Sequence, residues 1–310
     1  MDLRGVFKAL LVLSSISLTL SSLLDGLRAE EVAIVQFDSR AMSSYWLASA
    51  NWNKFYCDKH GHKFLYFQAP KGKCLHDGEV QLADPWCKVR TMQQATEDHP
   101  DVKLFVYMDS DAVVDTLNFD TSVLDFAKDM QRRLDWDVSK KPIIFNQDGP
   151  CWWCSLVAKK GYHMCLNAGT VMWYRHPISS KVLSDWWNAA MDSYDDNPLK
   201  RKFRTSWPWE QDRQMAIYQR NVDKIQVSSH PHLPFMPREH GSRKISDWCF
   251  SHLPGSGCFI SHFCANHHSK EVLNTKYQSN LEKKKREKGG SQDILDAKLY
   301  DFTIEQLRMK

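Results

Sequence analysis

From Val32 onward, short apolar runs alternate with segments of helical periodicity, and one of those runs ends on a pair of acids. Val32 to Phe37 is a run of strand type that Asp38 closes. Tyr45, Leu47, Ala48, Trp52, Phe55 and Tyr56 then recur at helical spacing, with Ser43 and Ser44 as caps and Gly61 as the stop. Phe64 to Phe67 reads as the second strand. A helix begins near Pro85, carries Trp86, Val89, Met92 and Ala95 on one face, and stops at Pro100. Lys103 to Met108 reads as a buried strand, and Asp109-Ser110-Asp111 falls at its carboxyl end. This alternation predicts an α/β fold whose strand ends form the ligand edge.

The second half continues with a predicted helix from Thr121 to Arg133, strands at Ile143 to Phe145 and Ala168 to Tyr174, and helices at Pro177 to Tyr194 and Trp209 to Arg220. Short strands near Ile225 and Phe259 complete the core. The basic run Lys283 to Lys288, followed by Gly289 and Gly290, marks a boundary. Beyond it Ile294, Leu295, Leu299, Phe302, Ile304 and Leu307 predict a helical appendage. The expected organisation is an N-terminal segment 1–29, a folded domain 30–282, and a basic linker with its appendage at 283–310.

Arg4 and Lys8 precede a mostly apolar stretch from Ala9 to Leu24, the pattern of a secretory signal peptide with a cut after Ala29, or of a signal anchor if the segment is kept. Either reading puts the rest of the chain in the lumen of the endoplasmic reticulum or Golgi, or outside the cell. There the nine cysteines are disulfide candidates, and an odd count leaves at least one thiol free or paired between chains. The spacing Cys151-Trp-Trp-Cys154 reads as structural, because no second pair of this kind accompanies it. With 41 basic against 37 acidic residues, the net charge of +4 forms no basic stripe, so nucleic acid is not an expected partner. A hydrophobic share of 43% excludes a wholly disordered chain.

In an extended strand end, residues i and i+2 project to one side, so Asp109 and Asp111 can converge on one hard divalent cation, Mn²⁺ or Mg²⁺. A cation there would neutralise the diphosphate leaving group of a nucleotide sugar. The competing reading is that the acids only cap the next turn.

Further motifs decide between these. Trp86-Cys87-Lys88, His99-Pro100-Asp101 and Tyr107-Met108-Asp109-Ser110-Asp111-Ala112 resemble the nucleotide-binding half of glycosyltransferase family 34. Asn167-Ala168-Gly169-Thr170 with Arg175 and Trp186, Trp209-Glu210-Gln211-Asp212, and His262-Phe263 resemble that family's later motifs, in the same order. The similarity runs from about Val32 to His267. It implies a GT-A type fold, Rossmann-like with a mixed central sheet, and a metal-dependent transfer from a nucleotide sugar, UDP-linked or, as in the fungal branch, GDP-mannose, to a glycan acceptor with retention of configuration.

Residue by residue, the resemblance implies Asp109, Asp111 and His262 as metal ligands, His262 having a hydrogen-bonded core histidine as its competing reading. It implies Ser110 at the ribose and Lys88 at the donor, where a solvated helix residue competes. Asp38 is placed at the nucleoside or in a strand-end turn, and Asn167 and Gly169 near acceptor or sugar or in an ordinary turn. Gln211 falls beside the anomeric carbon and Glu210 on sugar hydroxyls. Asp212 is held in reserve as the general base of an inverting reaction, and all three acidic-segment residues have helix N-terminal charge as their alternative. Ala265 and His267 stand where plant members carry Gly and Lys, which makes His267 a pH-dependent stand-in for the donor-binding lysine. Trp152, Trp153, Trp173, Trp207 and Trp209 are candidates for a sugar-stacking platform, with core positions as the simpler account. Two other readings remain: a transferase of glycogenin type, and a secreted carbohydrate-binding or inactive relative.

Overall fold

The computed structural model describes residues 22–40, 44–148, 165–192, 209–228, 251–252, 259–262 and 303–309, with isolated positions between 275 and 283. Cys151, Cys154, Trp152, Trp153, Trp207 and His267 lie outside the described residues.

The first strand, β1 (Val32–Asp38), is buried along its whole length, with Gln36 and Asp38 as polar residues in a mostly apolar run. Helix α1 (Ser44–His60) ends at Gly61, whose φ of 70° is the left-handed turn that the sequence position predicts. It leads to β2 (Lys63–Gln68), a small hairpin of β3 (Leu75–His76) and β4 (Val80–Gln81), and α2 (Cys87–Asp98). A disulfide joins Cys74 to Cys87 across that hairpin, while Cys57 is a buried free thiol. Strand β5 (Leu104–Asp109) follows, then β6 (Ala112–Val114) after a two-residue turn. Helix α3 (Val123–Leu134) is capped by Ser122, whose Oγ accepts from the Asp125 amide at 2.9 Å.

The second half supplies β7 (Ile143–Asp148), β8 (Cys165–Tyr174), α4 (Pro177–Asn188), α5 (Trp209–Arg220) and β9 (Ile225–Ser228). Short strands β10 (Ser251–His252), β11 (Ile260–His262) and β12 (Ile304–Gln306) close the set. The main sheet has seven strands in the order β12-β2-β1-β5-β8-β7-β9. β1 is parallel to β2 and β5, whereas β8 runs antiparallel to both β5 and β7, so the sheet is mixed as expected. A second sheet, β10-β11-β6, branches off where the chain leaves β5.

Apolar clusters fill both faces of the main sheet. One packs α1 and α3 through Trp52, Tyr56, Phe126 and Met130, and the other packs α2, α4 and α5 through Trp86, Met92, Trp186 and Met215. Trp173 is fully buried and stacks on Phe105 with centroids 4.9 Å apart, so it belongs to the core and not to a sugar platform.

Two expectations about the ends need correction. The run through Ile304 and Leu307 is not helical at this point: residues 304–306 add a strand parallel to β2, because an edge strand offers unpaired backbone groups and the tail satisfies them. Arg308 then donates to Asp98, and the Gln94 side chain brackets the tail through Gln306 O and Arg308 N. At the other end Leu24 is completely buried in the core and Ser22 bonds to Gln131, so packing begins before residue 30. Among the described residues no helix is long and apolar enough to cross a membrane.

Candidate active site

The site forms where β1, β5 and β8 end or turn together. Register places Phe37 beside Asp109, which brings Asp38 next to the acidic pair. After the turn, β11 runs antiparallel to β6 with His262 opposite Ala112, so the histidine is delivered beside Asp111. His262 Nε2 lies 3.2 Å from Asp111 Oδ1 and 3.8 Å from Asp109 Oδ2. One donor atom from each of Asp109, Asp111 and His262 falls within 4.8 Å of the others.

Gly169 forms the floor of this cluster. A Cβ there would stand 2.2 Å from His262 Cε1 and 2.9 Å from both Asp109 Oδ2 and Asn167 Oδ1. Only glycine permits this approach. Asn167 turns its Oδ1 back to accept from the Gly169 amide at 2.8 Å, so Asn167 and Gly169 both join the site. Two carboxylates and an imidazole converging over a glycine fit a divalent cation of the Mn²⁺ type, for which mixed oxygen and nitrogen donors are suitable.

The surrounding residues hold Asp109 in place. Tyr107, two residues earlier on the same strand face, donates from its hydroxyl to Asp109 Oδ1 at 3.0 Å. Gln36 Nε2 lies 3.1 Å from Asp109 O and 3.3 Å from Ala112 O, bracing the turn, and Asn53 Nδ2 donates to the same Ala112 carbonyl at 3.0 Å. Lys88 is buried, with Nζ 2.9 Å from Asp109 Oδ1 and 2.9 Å from Glu210 Oε1. Burial works against its charge, but Asp109 and Glu210 outweigh that and hold its pKa above the ordinary lysine value. Burial raises the Glu210 carboxyl, an effect that Lys88 opposes.

Lys88 therefore faces protein carboxylates, not solvent, and the solvated-helix reading is set aside. Glu210 Oε2 is buried and has no hydrogen-bond partner among the described residues. Its helix is anchored by Trp186 Nε1, which donates to Glu210 O at 2.9 Å. Gln211 Nε2 donates to Leu166 O at 2.5 Å, which pins the start of α5 to β8 just before Asn167. Asp212 is buried, with Oδ2 3.8 Å from Arg213 Nε of its own helix.

Asp38 and Ser110 are brought together through Arg40. Its Nε donates to Asp38 Oδ1 at 2.9 Å, and its Nη2 reaches Asp38 Oδ2 at 2.5 Å and Ser110 Oγ at 2.7 Å. Arg40, Gln36 and Tyr107 were not singled out from the sequence. Tyr107 could have been found by period-two counting back from Asp109, whereas Arg40 and Gln36 carry no motif signal.

This mixed sheet, with an Asp-x-Asp pair at the carboxyl end of a central strand, is a fold of the GT-A type. A glycosyltransferase involved in the glycosylation of the major capsid of PBCV-1 superposes with a TM-score of 0.50 at 14% identity, covering 80% of this chain and 98% of its own. The galactosyltransferase LgtC, solved in complex with donor and acceptor sugar analogues, matches at 12% identity over 80% of this chain and 94% of its own, with a TM-score of 0.41. Residues 32–230 match the profile of the galactosyl transferase GMA12/MNN10 family, and the chain belongs to that family. Curated protein sequences return no significant match.

Proposed function

We propose that the chain is a metal-dependent transferase that moves a sugar from a UDP-sugar to a glycan acceptor with retention of configuration. The observation that carries this reading is the convergence of Asp109, Asp111 and His262 within 4.8 Å over Gly169. These three residues would hold the cation, Mn²⁺ or Mg²⁺. When bound, it supplies electrostatic stabilisation of a diphosphate leaving group.

The chain's own residues do the rest. Lys88 neutralises Asp109 and Glu210 and fixes their separation. The unpartnered Glu210 Oε2 is ready to accept from a hydroxyl of the transferred sugar, a buried acceptor gaining most from such a bond. Gln211, tied to the Leu166 carbonyl, borders the sugar's reacting carbon. In a front-face retaining reaction the departing phosphate takes the acceptor's proton, so no protein base is needed. The burial of Asp212 beside Arg213 favours that course over one in which Asp212 acts as base. The Cys74–Cys87 disulfide supports a lumenal setting in the secretory pathway, with the N-terminal segment as signal or anchor.

The test is a thermal-shift and donor-hydrolysis screen of the protein from Ser22 onward against UDP- and GDP-sugars, with and without Mn²⁺. Stabilisation by one donor only when metal is present, with slow hydrolysis of that donor, is the expected result. A folded protein that no donor stabilises would favour the inactive or glycan-binding alternative. Proton NMR of the first-formed product then reads the configuration.

A further inference from the structure

Arg40 stands at the mouth of the site, immediately after β1, and its side chain is 41% exposed where that of Asp38 is 2% exposed. The backbone places it firmly. Its amide donates to Asp38 Oδ1 at 2.7 Å, and its carbonyl accepts from Gln68 Nε2 at 3.1 Å. Its guanidinium lies along the Asp38 carboxylate and reaches Ser110 Oγ, the residue between the two metal-binding aspartates. The side chain is therefore oriented before any ligand arrives.

Lys88 cannot serve a ligand in the same way. Its side chain is 8% exposed, and its ammonium lies between Asp109 and Glu210, both within 2.9 Å. A ligand with two phosphates, seated on the cation that Asp109 and Asp111 would hold, carries negative charge beside Ser110. The half-exposed cation that touches Ser110 is Arg40. A planar guanidinium is the side chain best matched to phosphate oxygens.

We infer that Arg40 is the residue that binds the diphosphate of the donor, and that Asp38 is its positioning residue and not a direct contact of the nucleoside. The inference rests on the proposed transferase reading and adds to it the residue that recognises the leaving group. Burial lowers the pKa of Arg40, but the hydrogen bonds and charge of Asp38 outweigh this, with Asp111 and Asp109 adding to the rise, so the guanidinium is charged at any working pH.

The experiment measures binding of UDP, of inorganic pyrophosphate and of Mn²⁺ alone by titration calorimetry in the wild type, Arg40→Gln, Arg40→Lys and Asp38→Asn. Arg40→Gln is expected to weaken UDP and pyrophosphate, each with Mn²⁺ present, by the same factor of about tenfold or more. Mn²⁺ binding alone should stay within about twofold, since Arg40 is no ligand of the cation. Arg40→Lys keeps the charge and is expected to recover part of the loss, and retained Mn²⁺ binding shows that each variant folds. Asp38→Asn should weaken both phosphate ligands by a smaller factor, because it loosens Arg40 without removing it.

Unchanged UDP affinity in Arg40→Gln overturns the inference. Loss of UDP binding with pyrophosphate unaffected overturns it too, since Arg40 would then read the nucleoside. Equal loss of Mn²⁺ and UDP affinity would mean that Arg40 only shapes the site, and again the inference falls. A wild type that binds neither UDP nor GDP with Mn²⁺ overturns the transferase reading itself, an outcome visible before any variant is made.

Discussion

Lys88 and Glu210 form a buried ion pair, 2.9 Å from Nζ to Oε1, that ties the first turn of α2 to the first turn of α5. Because the same ammonium also bonds Asp109, replacing it with a neutral side chain strands two carboxylates at once. Breaking a buried pair from one side costs about 3–5 kcal/mol. Lys88→Met should lower the unfolding free energy by that amount in urea denaturation at neutral pH. Adding Glu210→Gln should restore part of it, since one uncompensated charge is removed. A Lys88→Met protein as stable as the wild type would count against the pairing.

Gly169→Ala tests the floor of the proposed metal site. The new methyl group would overlap His262 Cε1 and crowd Asp109 Oδ2 and Asn167 Oδ1, so the ligands must move apart. The expected result is a Mn²⁺ affinity weakened by about tenfold to a hundredfold, the usual scale when ligand orientation is disturbed. Calorimetric titration with Mn²⁺ reads this directly, and unchanged affinity would remove Gly169 from the site.

His62 gives the fold a pH dependence of known sign. It is buried, with Nδ1 2.9 Å from Ala29 O, and burial is the main cause that lowers its pKa below 6.5, with His60 adding to it. The unfolded chain therefore takes up the proton first as pH falls. Stability from this group is complete above 6.5 and is lost as pH drops through the lower folded value. Melting temperatures measured from pH 7.5 down to 5 should fall more steeply in the wild type than in His62→Gln. Parallel curves would assign the slope to other groups.

Deleting residues 304–310 removes β12 and its links to α2. The ladder to β2, the Gln94 bracket and the Arg308–Asp98 pair are lost together. The expected cost is about 2 kcal/mol, the middle of the range for losing a small set of hydrogen bonds. The bare β2 edge should also raise aggregation, which light scattering after mild heating would detect.

Local pattern carried the central part of this fold. The apolar run ahead of Asp109, the Gly61 stop of α1 and the helical face of α2 are all contained within a dozen or so neighbouring residues, and each survives into the structure. The acidic pair was legible for the same reason: spacing alone puts Asp109 and Asp111 on one side. Pairings across long separations were not. Nothing near Arg40 announces Ser110, seventy positions away, and nothing in the polar tail announces the edge of β2. Ile304 and Leu307 looked helical because three-residue spacing is shared by a helix and by a short strand with a turn, and only the unpaired neighbour decides between them. Lys88 stands out in the sequence only through its motif, and its burial between two carboxylates depends on how α5 packs, which no local pattern encodes.

The three converging donor atoms come from two widely separated stretches of chain: the end of β5 and the turn after it supply two, and β11, much later, supplies the third. During synthesis the aspartates emerge long before the histidine, so a half-made chain presents an acidic pair with no imidazole and no second sheet to hold it. Completion of the ligand set is thereby coupled to completion of folding in the last part of the domain. The three-residue cluster is therefore complete only once β11 has paired with β6.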